Sequence, residues 1–392
     1  MSIELPPRVF PVESIETMAD LQRVVAEADQ LEATKRQAAP PVLTCAWLVA
    51  RHPLLGGEYY RALRPAALTA RMQGWHTAVC DRGGSLEGSD LVHVQACGPN
   101  GVVLAPKVII ARGVCFGGDS EWRSSWIDHA HAAGQIVIAD LDDDLWAHED
   151  WTPDTRPNDD GYEDWCWKAD GWLVSTEVIK NRVLSIGKER WEQKPRPVLV
   201  APNCYDPTGI GAMSQPSPGK VLGNRLWLSG RMSADLEAYH RLVAPVADEL
   251  GLSFVHVGAE PGQNLHLDLP RVIERPSSVL PELHKSFADV SIGMIVHGTH
   301  PYNLAKTETN AVELASMGLP LVAATTHPLY ANVPGRVDPT PNAVRNRILD
   351  LLEPGYWRTE AWKARHWAYS IAQHSEERYL EAVASLINRL AR

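Results

Sequence analysis

Two rhythms of apolar residues alternate along this chain: short continuous runs, and longer stretches in which apolar positions recur every three or four residues. Residues 14–37 place Met18, Leu21, Val24, Val25, Ala28 and Leu31 at helical spacing ahead of Pro40 and Pro41, which predicts an N-terminal helical arm over residues 1–40. Leu43–Ala50 (LTCAWLVA) reads as a buried strand. A loop with Gly56 and Gly57 follows, then a helix over Glu58–Met72 stopped by Gly74, then a strand over Trp75–Cys80. Further strands are expected at Leu91–Gln95, Val108–Ala111, Ile136–Ala139, Leu173–Ser175 and Val198–Ala201, with a helix over Glu121–Ala133. Strands alternating with helices predict a parallel sheet covered on both faces.

From Asn203 to Gly223 the apolar rhythm stops and proline, glycine and serine accumulate, which marks an interdomain linker over residues 206–223 between a first domain, 41–205, and a second, 224–370. The second domain repeats the pattern. Strands are expected at Leu226–Ser229, Ser253–Val257, Arg271–Glu274, Val290–Val296 and Leu321–Ala323, and helices at Ser233–Leu250 and Val279–Ala288. Between the last two strands lies KTETNAVELASMGLPLVA, Lys306–Ala323: a helix with Thr307 as its N-cap and Gly318 as its left-handed C-cap, running through Pro320 into a strand. A last helix within residues 371–392 carries Tyr379, Val383, Leu386, Ile387 and Leu390 on one face and is expected to pack back on the first domain. The fold class is therefore α/β, with two Rossmann-like doubly wound sheets whose loop ends are expected to border a ligand cleft.

Length agrees with two domains, since 392 residues exceed what a single core usually fills. The six cysteines are scattered without a CxxC pair, as expected of reduced thiols in a cytoplasmic protein. No apolar run reaches the roughly 18 residues of a membrane span. A net charge of -11 argues against broad, nonspecific binding of polyanions, while leaving room for a local basic groove.

The candidate chemistry sits where strands end. The free amides at the start of the Thr307 helix attract anions, phosphate above all, and Lys306 adds positive charge there. Gly230-Arg231 leaves the first strand of the second domain, and an arginine at a strand end suits a diphosphate through forked hydrogen bonds. Gly56 and Gly57 allow close backbone approach to a ligand, although a tight turn needs them equally. Asp140, Asp142, Asp143 and Asp144 follow a strand and offer oxygen ligands for Mg²⁺ or Mn²⁺, or a base; alternatively Asp143 or Asp144 caps the next segment while the others face water. His297 and His300 follow the Val290–Val296 strand and either hydrogen-bond a ligand or are simply solvated loop residues. Glu308 and Glu313 are five residues apart, about 500° of helical rotation, and do not share a face. The tryptophans from Trp146 to Trp172 are either a stacking platform or the packing of a lid.

Together these pieces resemble the retaining glycosyltransferases of the GT-B fold, the family with a glycogen-synthase-like core. Gly56-Gly57, a helix and GWHTAV at Gly74–Val79 are similar to the family's opening unit. Ser229-Gly230-Arg231 resembles its glycine-arginine turn, Val255–Gly258 its next strand, and VELASMGLPLVA at Val312–Ala323 its EAMAxGxPVVA segment. The resemblance implies a nucleoside diphosphate sugar on the second domain, with Arg231 and Lys306 on the diphosphate, the amides near Thr307 assisting, and Glu313 on the ribose. It also implies transfer with retention, the leaving phosphate assisting the acceptor hydroxyl, no bound metal or other cofactor, and Asp140 or Asp142 orienting sugar hydroxyls. The family's paired glutamates are spaced EX7E, and counting back eight from Glu313 gives Ala305; Glu308 stands nearest as a substitute catalytic group.

IADLDDDLW beside a tryptophan-rich segment is similar to glycosyltransferase-like proteins of bacteriophages. That resemblance implies an acceptor among modified DNA, protein or glycan, and a location in the host cytoplasm. Two other functions share the expected fold: a sugar-nucleotide epimerase or phosphorylase, and a catalytically silent binding module.

Overall fold

The structure, a computed structural model, describes residues 43–49, 59–69, 72, 75–81, 106–112, 120–144, 146–147, 166–191, 194–207, 225–228, 233–259, 271–276, 286–287, 289–297 and 300–391. The expected arm over 1–40, the strand at 91–95, most of the linker, most of the 279–288 helix, and the candidate residues Gly56, Gly57, Gly230 and Arg231 lie outside the described residues. The chain divides into two compact units. Cys204 and Tyr205 fall on either side of the division, and Ser375–Arg392 belong to the first unit.

In the first unit, β1 (Leu43–Val49) leads to a π-helical turn at Tyr59–Leu63 and the short helix α1 (Arg64–Thr69). The single helix expected over 58–72 is thus shorter and two-part. Pro65 has no amide to bond the carbonyl of Arg61, and the Tyr379 hydroxyl, at 3.4 Å, donates to that carbonyl instead. There follow β2 (Trp75–Asp81), β3 (Val108–Arg112), α2 (Ser120–Ala132), β4 (Ile136–Leu141), β5 (Gly171–Val174), α3 (Glu177–Arg190) and β6 (Val198–Val200). All pairings are parallel, in the order β2-β1-β3-β4-β5-β6, so the winding reverses between β1 and β3. β4 extends two residues beyond the apolar run that announces it. Pairing on both sides, Arg112 with Asp140 and Asp140 with Leu173, carries a carboxylate into the sheet.

The second unit contains β7 (Arg225–Leu228), α4 (Ser233–Leu242), α5 (Ala244–Glu249), β8 (Ser253–Ala259), β9 (Val272–Pro276), β10 (Ile292–Val296), α6 (Pro301–Leu304), α7 (Thr309–Ser316), β11 (Leu321–Ala324), β12 (Arg336–Val337), α8 (Pro341–Leu351) and the part of α9 (Pro354–Leu390) that precedes Ser375. The helix expected over 233–250 is broken at Val243, because Pro245 opens a new helix rather than continuing the old one. The sheet order is β12-β11-β10-β7-β8-β9, all parallel. Counted from β7 as the first strand this is 3-2-1-4-5-6, the order of dinucleotide-binding folds, with its switch point between β7 and β10.

Two glycines set α7 against this sheet. Gly318, at φ 77°, ends the helix in the left-handed conformation. Its amide bonds Ala315 O at 3.0 Å and the Leu319 amide bonds Leu314 O at 3.1 Å, the paired closure of a Schellman motif. At Gly293 in β10 a Cβ would lie 2.8 Å from Leu321 and 3.0 Å from Leu314, so glycine permits the helix its close approach. Helix α9 is longer than the terminal helix expected from the sequence, running for 37 residues. Its Tyr379, Val383, Leu386 and Ile387 enter the core of the first unit with Trp47, Ile110, Ile138 and Leu173. A second core gathers Tyr239, Phe254, Met294, Val296, Val322 and Ile348. Cys45, Cys166 and Cys204 are buried in the first unit and form no disulfide. Among the described residues no helix is long and apolar enough to cross a membrane.

Candidate functional site

Charged and polar side chains collect at the carboxyl edge of each sheet, beside its switch point. In the first unit the π-helical turn aims Arg61 inward, and its guanidinium is wholly buried. Arg61 Nε donates to Asp140 Oδ2 at 3.1 Å, Nη2 pairs with Asp140 Oδ1, and Nη1 donates to the carbonyl of Ala201. Its carbon lies 5.4 Å from the centre of the Tyr379 ring, whose hydroxyl accepts from Trp47 Nε1 at 3.3 Å. Burial alone would lower the Arg61 pKa, but Asp140 outweighs burial and holds the guanidinium above its ordinary value.

One strand away, Arg112 at the end of β3 pairs with Asp142 Oδ1 at 3.0 Å and lies 3.9 Å from Asp140 Oδ2. The Asp142 side chain is 21% exposed where that of Asp140 is closed off. Burial pushes the Asp142 carboxyl up, against the pull of Arg112 and with Asp143 and Asp140 adding to the rise. The aspartates expected after the strand therefore part company. Asp140 is inside β4 and both its oxygens serve Arg61, while Asp142 follows the strand and retains a path to solvent. Of the neighbouring tryptophans, Trp151 and Trp165 lie outside the described residues, while Trp167 and Trp172 are buried packing: Trp167 lies 4.9 Å from Trp172 and 5.6 Å from Trp191, ring centre to ring centre.

In the second unit β10 delivers His297 to the carboxyl edge, and α6 and α7 follow. The start of α7 differs from the expectation. Glu308, not Thr307, occupies the N-cap position, and no side chain caps the helix there. Thr307 is one residue further out, because its carbonyl accepts the Tyr330 hydroxyl at 3.1 Å while its own hydroxyl meets that of Thr309 at 2.8 Å. Thr309 in turn donates to the hydroxyl of Tyr205 at 3.4 Å. Lys306 donates from Nζ to the Tyr302 hydroxyl at 2.7 Å, with the ammonium 4.1 Å from the ring centre. Lys306, Thr307, Glu308, Glu313 and His297 are all half-buried.

Tyr330 also fixes the histidine. Its one hydroxyl proton is given to Thr307 O, so it accepts from His297 Nε2 at 2.9 Å. A neutral His297 therefore carries its proton on Nε2 and presents Nδ1 as an acceptor. Tyr302 and Tyr330 are both held by the same local device. His300 Nδ1 accepts from the Tyr302 amide at 3.2 Å, His327 Nδ1 accepts from the Leu329 amide at 3.0 Å, and Pro301 or Pro328 occupies the next position. His327 is pushed below its ordinary pKa by burial, with the charge of His297 acting in the same direction, so the neutral capping form is favoured.

Tyr205, Tyr302, Tyr330 and His327 were not among the residues singled out by sequence. The signal for three of them is present all the same: Thr-His-Pro occurs twice, at 299–301 and 326–328, each followed within two residues by a tyrosine. Tyr205 has no such mark. The structure brings His297, Lys306, Thr307 and Glu308 into one neighbourhood with these tyrosines, with Glu313 one turn along α7.

Two Rossmann-like units of parallel sheet, the second in the 3-2-1-4-5-6 order, make this a GT-B fold. No family model matches the sequence, and no curated protein matches it. Solved structures do match. An α-glucosyltransferase in complex with UDP-glucose and DNA containing an abasic site superimposes with a TM-score of 0.61 at 12% identity, covering 89% of this chain and 99% of that one. A glycosyltransferase from Rickettsia africae ESF-5 gives 0.52 at 12% identity over 88% and 98%. Anabaena HepE in complex with UDP gives 0.50 at 15% identity over 88% and 100%. These likenesses define the fold.

Proposed function

We propose that this chain is a glycosyltransferase that takes its sugar from a nucleoside diphosphate sugar bound on the second unit. The observation that carries the reading is the gathering of Lys306, Thr307, Thr309, His297 and Tyr330 around the open start of α7, at the carboxyl edge beside the switch point. Diphosphate charge is met there by the Lys306 ammonium and by helix amides that no side chain caps. Arg231, directly after β7, adds a second cation. Glu313 takes the ribose hydroxyls, and His297 Nδ1 and Glu308 address the sugar. Gly56 and Gly57 let the backbone after β1 come close to the substrate.

Transfer proceeds with retention. The bond from the anomeric carbon to the diphosphate oxygen breaks, the acceptor oxygen bonds to that carbon on the same face, and the acceptor proton passes to the departing phosphate oxygen. Asp142, with its raised pKa and partial exposure, orients an acceptor hydroxyl, and Asp140 acts on it through the arginine pair. The acceptor is a hydroxyl of modified DNA, protein or glycan.

A panel of UDP-, GDP- and ADP-sugars read by thermal shift tests the donor reading, with Lys306→Ala as the control. Stabilisation by one nucleotide series, lost in the variant, is expected; no stabilisation by any donor overturns it. A second reading, donor binding without turnover, is favoured by Ala305. This residue is 1% exposed and stands eight positions before Glu313, where the EX7E spacing of the resembled family would have its first glutamate. It predicts the same thermal shift with no release of nucleotide.

A further inference from the structure

The outer face of α9 between Arg358 and Gln373 is unlike the rest of this acidic chain. At 100° per residue Arg358, Trp362, Arg365, His366, Tyr369 and Gln373 fall within an arc of about 100° and extend over roughly 22 Å of helix. Trp362 is 68% exposed, although an indole is among the side chains that gain most from burial. Its ring stacks on that of His366, with planes 4° apart and centroids 5.5 Å apart. Tyr369, 37% exposed, has the Arg365 guanidinium 5.9 Å from its ring centre. No carboxylate lies on this arc. The one acid between Gly355 and Ser375 is Glu360, which is turned inward to Arg347 at 2.6 Å and to Lys363 at 2.7 Å. Glu353, at the start of the helix, accepts from the amides of Gly355 and Tyr356, and the charge of Arg358 acts on it as well.

We propose that this face binds single-stranded nucleic acid, with bases stacked on Trp362 and Tyr369 and phosphates held by Arg358 and Arg365. Flat exposed rings alternating with guanidinium groups match the alternation of bases and phosphates along a strand. A duplex keeps its base faces inside the stack and offers these rings nothing to stack on. A neutral glycan offers the arginines no charge. The surface belongs to the second unit but uses none of the donor-binding residues, so it stands apart from the glycosyltransferase reading.

Fluorescence anisotropy of the full chain with a labelled thymidine oligonucleotide of about 12 nucleotides tests it. Trp362→Ala is expected to weaken binding about tenfold, with Trp362→Phe retaining most of it. Arg358→Ala with Arg365→Ala is expected to make the salt dependence shallower by about 1.4 in log–log slope, near 0.7 for each phosphate left without its arginine. Lys306→Ala is expected to bind the strand as the parent does, which separates failure here from failure of the donor assignment. Unchanged affinity in Trp362→Ala, equal affinity for the matching duplex, displacement by a neutral maltodextrin, or a Trp362-dependent dimer on sizing in place of strand binding would each overturn the proposal.

Discussion

The carboxyl edges of the two sheets use the same kinds of charged and aromatic side chains to opposite ends. In the first unit Arg61 and Asp140 are closed from solvent, Arg112 is matched to Asp142, and Tyr379 and Trp47 complete the enclosure. In the second, Lys306, His297, Glu308 and Glu313 remain half-exposed around the open start of α7, and tyrosine hydroxyls hold Lys306 and His297 in place. A buried charge matched by its opposite fixes backbone, because separating the two costs more than the fold can spare. A charge held by a neutral hydroxyl keeps its field available to a ligand.

The sharpest way to break this contrast is to remove one member of the buried pair. Arg61→Met or Asp140→Asn leaves an uncompensated charge inside the first unit and should cost about 3–5 kcal/mol in urea denaturation. The double variant with Asp140→Leu should recover part of that loss; a loss under about 1 kcal/mol in the single variants would mean that the pair is solvated and the contrast is wrong. Lys306→Ala should do the reverse. Stability should change little, while affinity for UDP, measured by calorimetry, should fall roughly tenfold or more, the worth of a hydrogen bond to a charged group.

Tyr330→Phe sharpens the comparison at a single atom. It removes one hydroxyl that serves both His297 and Thr307 and should cost about 1–2 kcal/mol. The ¹⁵N shifts of the His297 ring should lose the Nε2-protonated signature; shifts identical to the parent would sink the tautomer assignment. A smaller effect comes from acid. Burial would raise the Glu360 carboxyl, but Lys363 and Arg347 outweigh it and hold it below its ordinary value. For Asp170, too, burial is outweighed, by His131 and the Val137 amide. Carboxyls depressed in the folded state stabilise it fully above their unfolded values near 4, and that contribution is lost as pH falls through the folded values. Urea midpoints should therefore fall on acidification below about pH 4, and less so in Glu360→Gln. Least of all is expected from the exposed pair of Arg345 and Glu249, only 2.7 Å apart, whose removal should leave the urea midpoint unchanged within error.

Much of the fold was legible because parallel sheets bury both strand faces and so write themselves as short apolar runs. LTCAWLV, VIIA and IVIA lie on β1, β3 and β4, and SMGLPLVA carries the turn from α7 into β11. Strand ends and helix joints were less legible. Nothing local to Asp140 says that two neighbouring strands will draw it into the sheet, and the break at Val243 depends on how Pro245 is read within an otherwise continuous helical pattern. At the candidate site His297, Lys306 and Glu313 could be named from their places after a strand and on a glycine-closed helix. Tyr205, 104 residues from its partner Thr309, could not.

By itself, then, the sequence determined the alternation of elements, the glycine-closed helix α7 and the cation before it, since each depends on residues within a few positions of one another. The tertiary structure decided which charges would be matched inside the fold. Arg61 meets Asp140 across 79 residues and Tyr379 across 318, while Lys306 donates to the neutral hydroxyl of Tyr302 four positions away. Coulombic pairing acts through space and the chain's periodicity does not record it. Asp140 and Asp142, which read alike as ligand groups, therefore became partners of Arg61 and Arg112, while the half-buried lysine kept its charge at the edge of its own sheet.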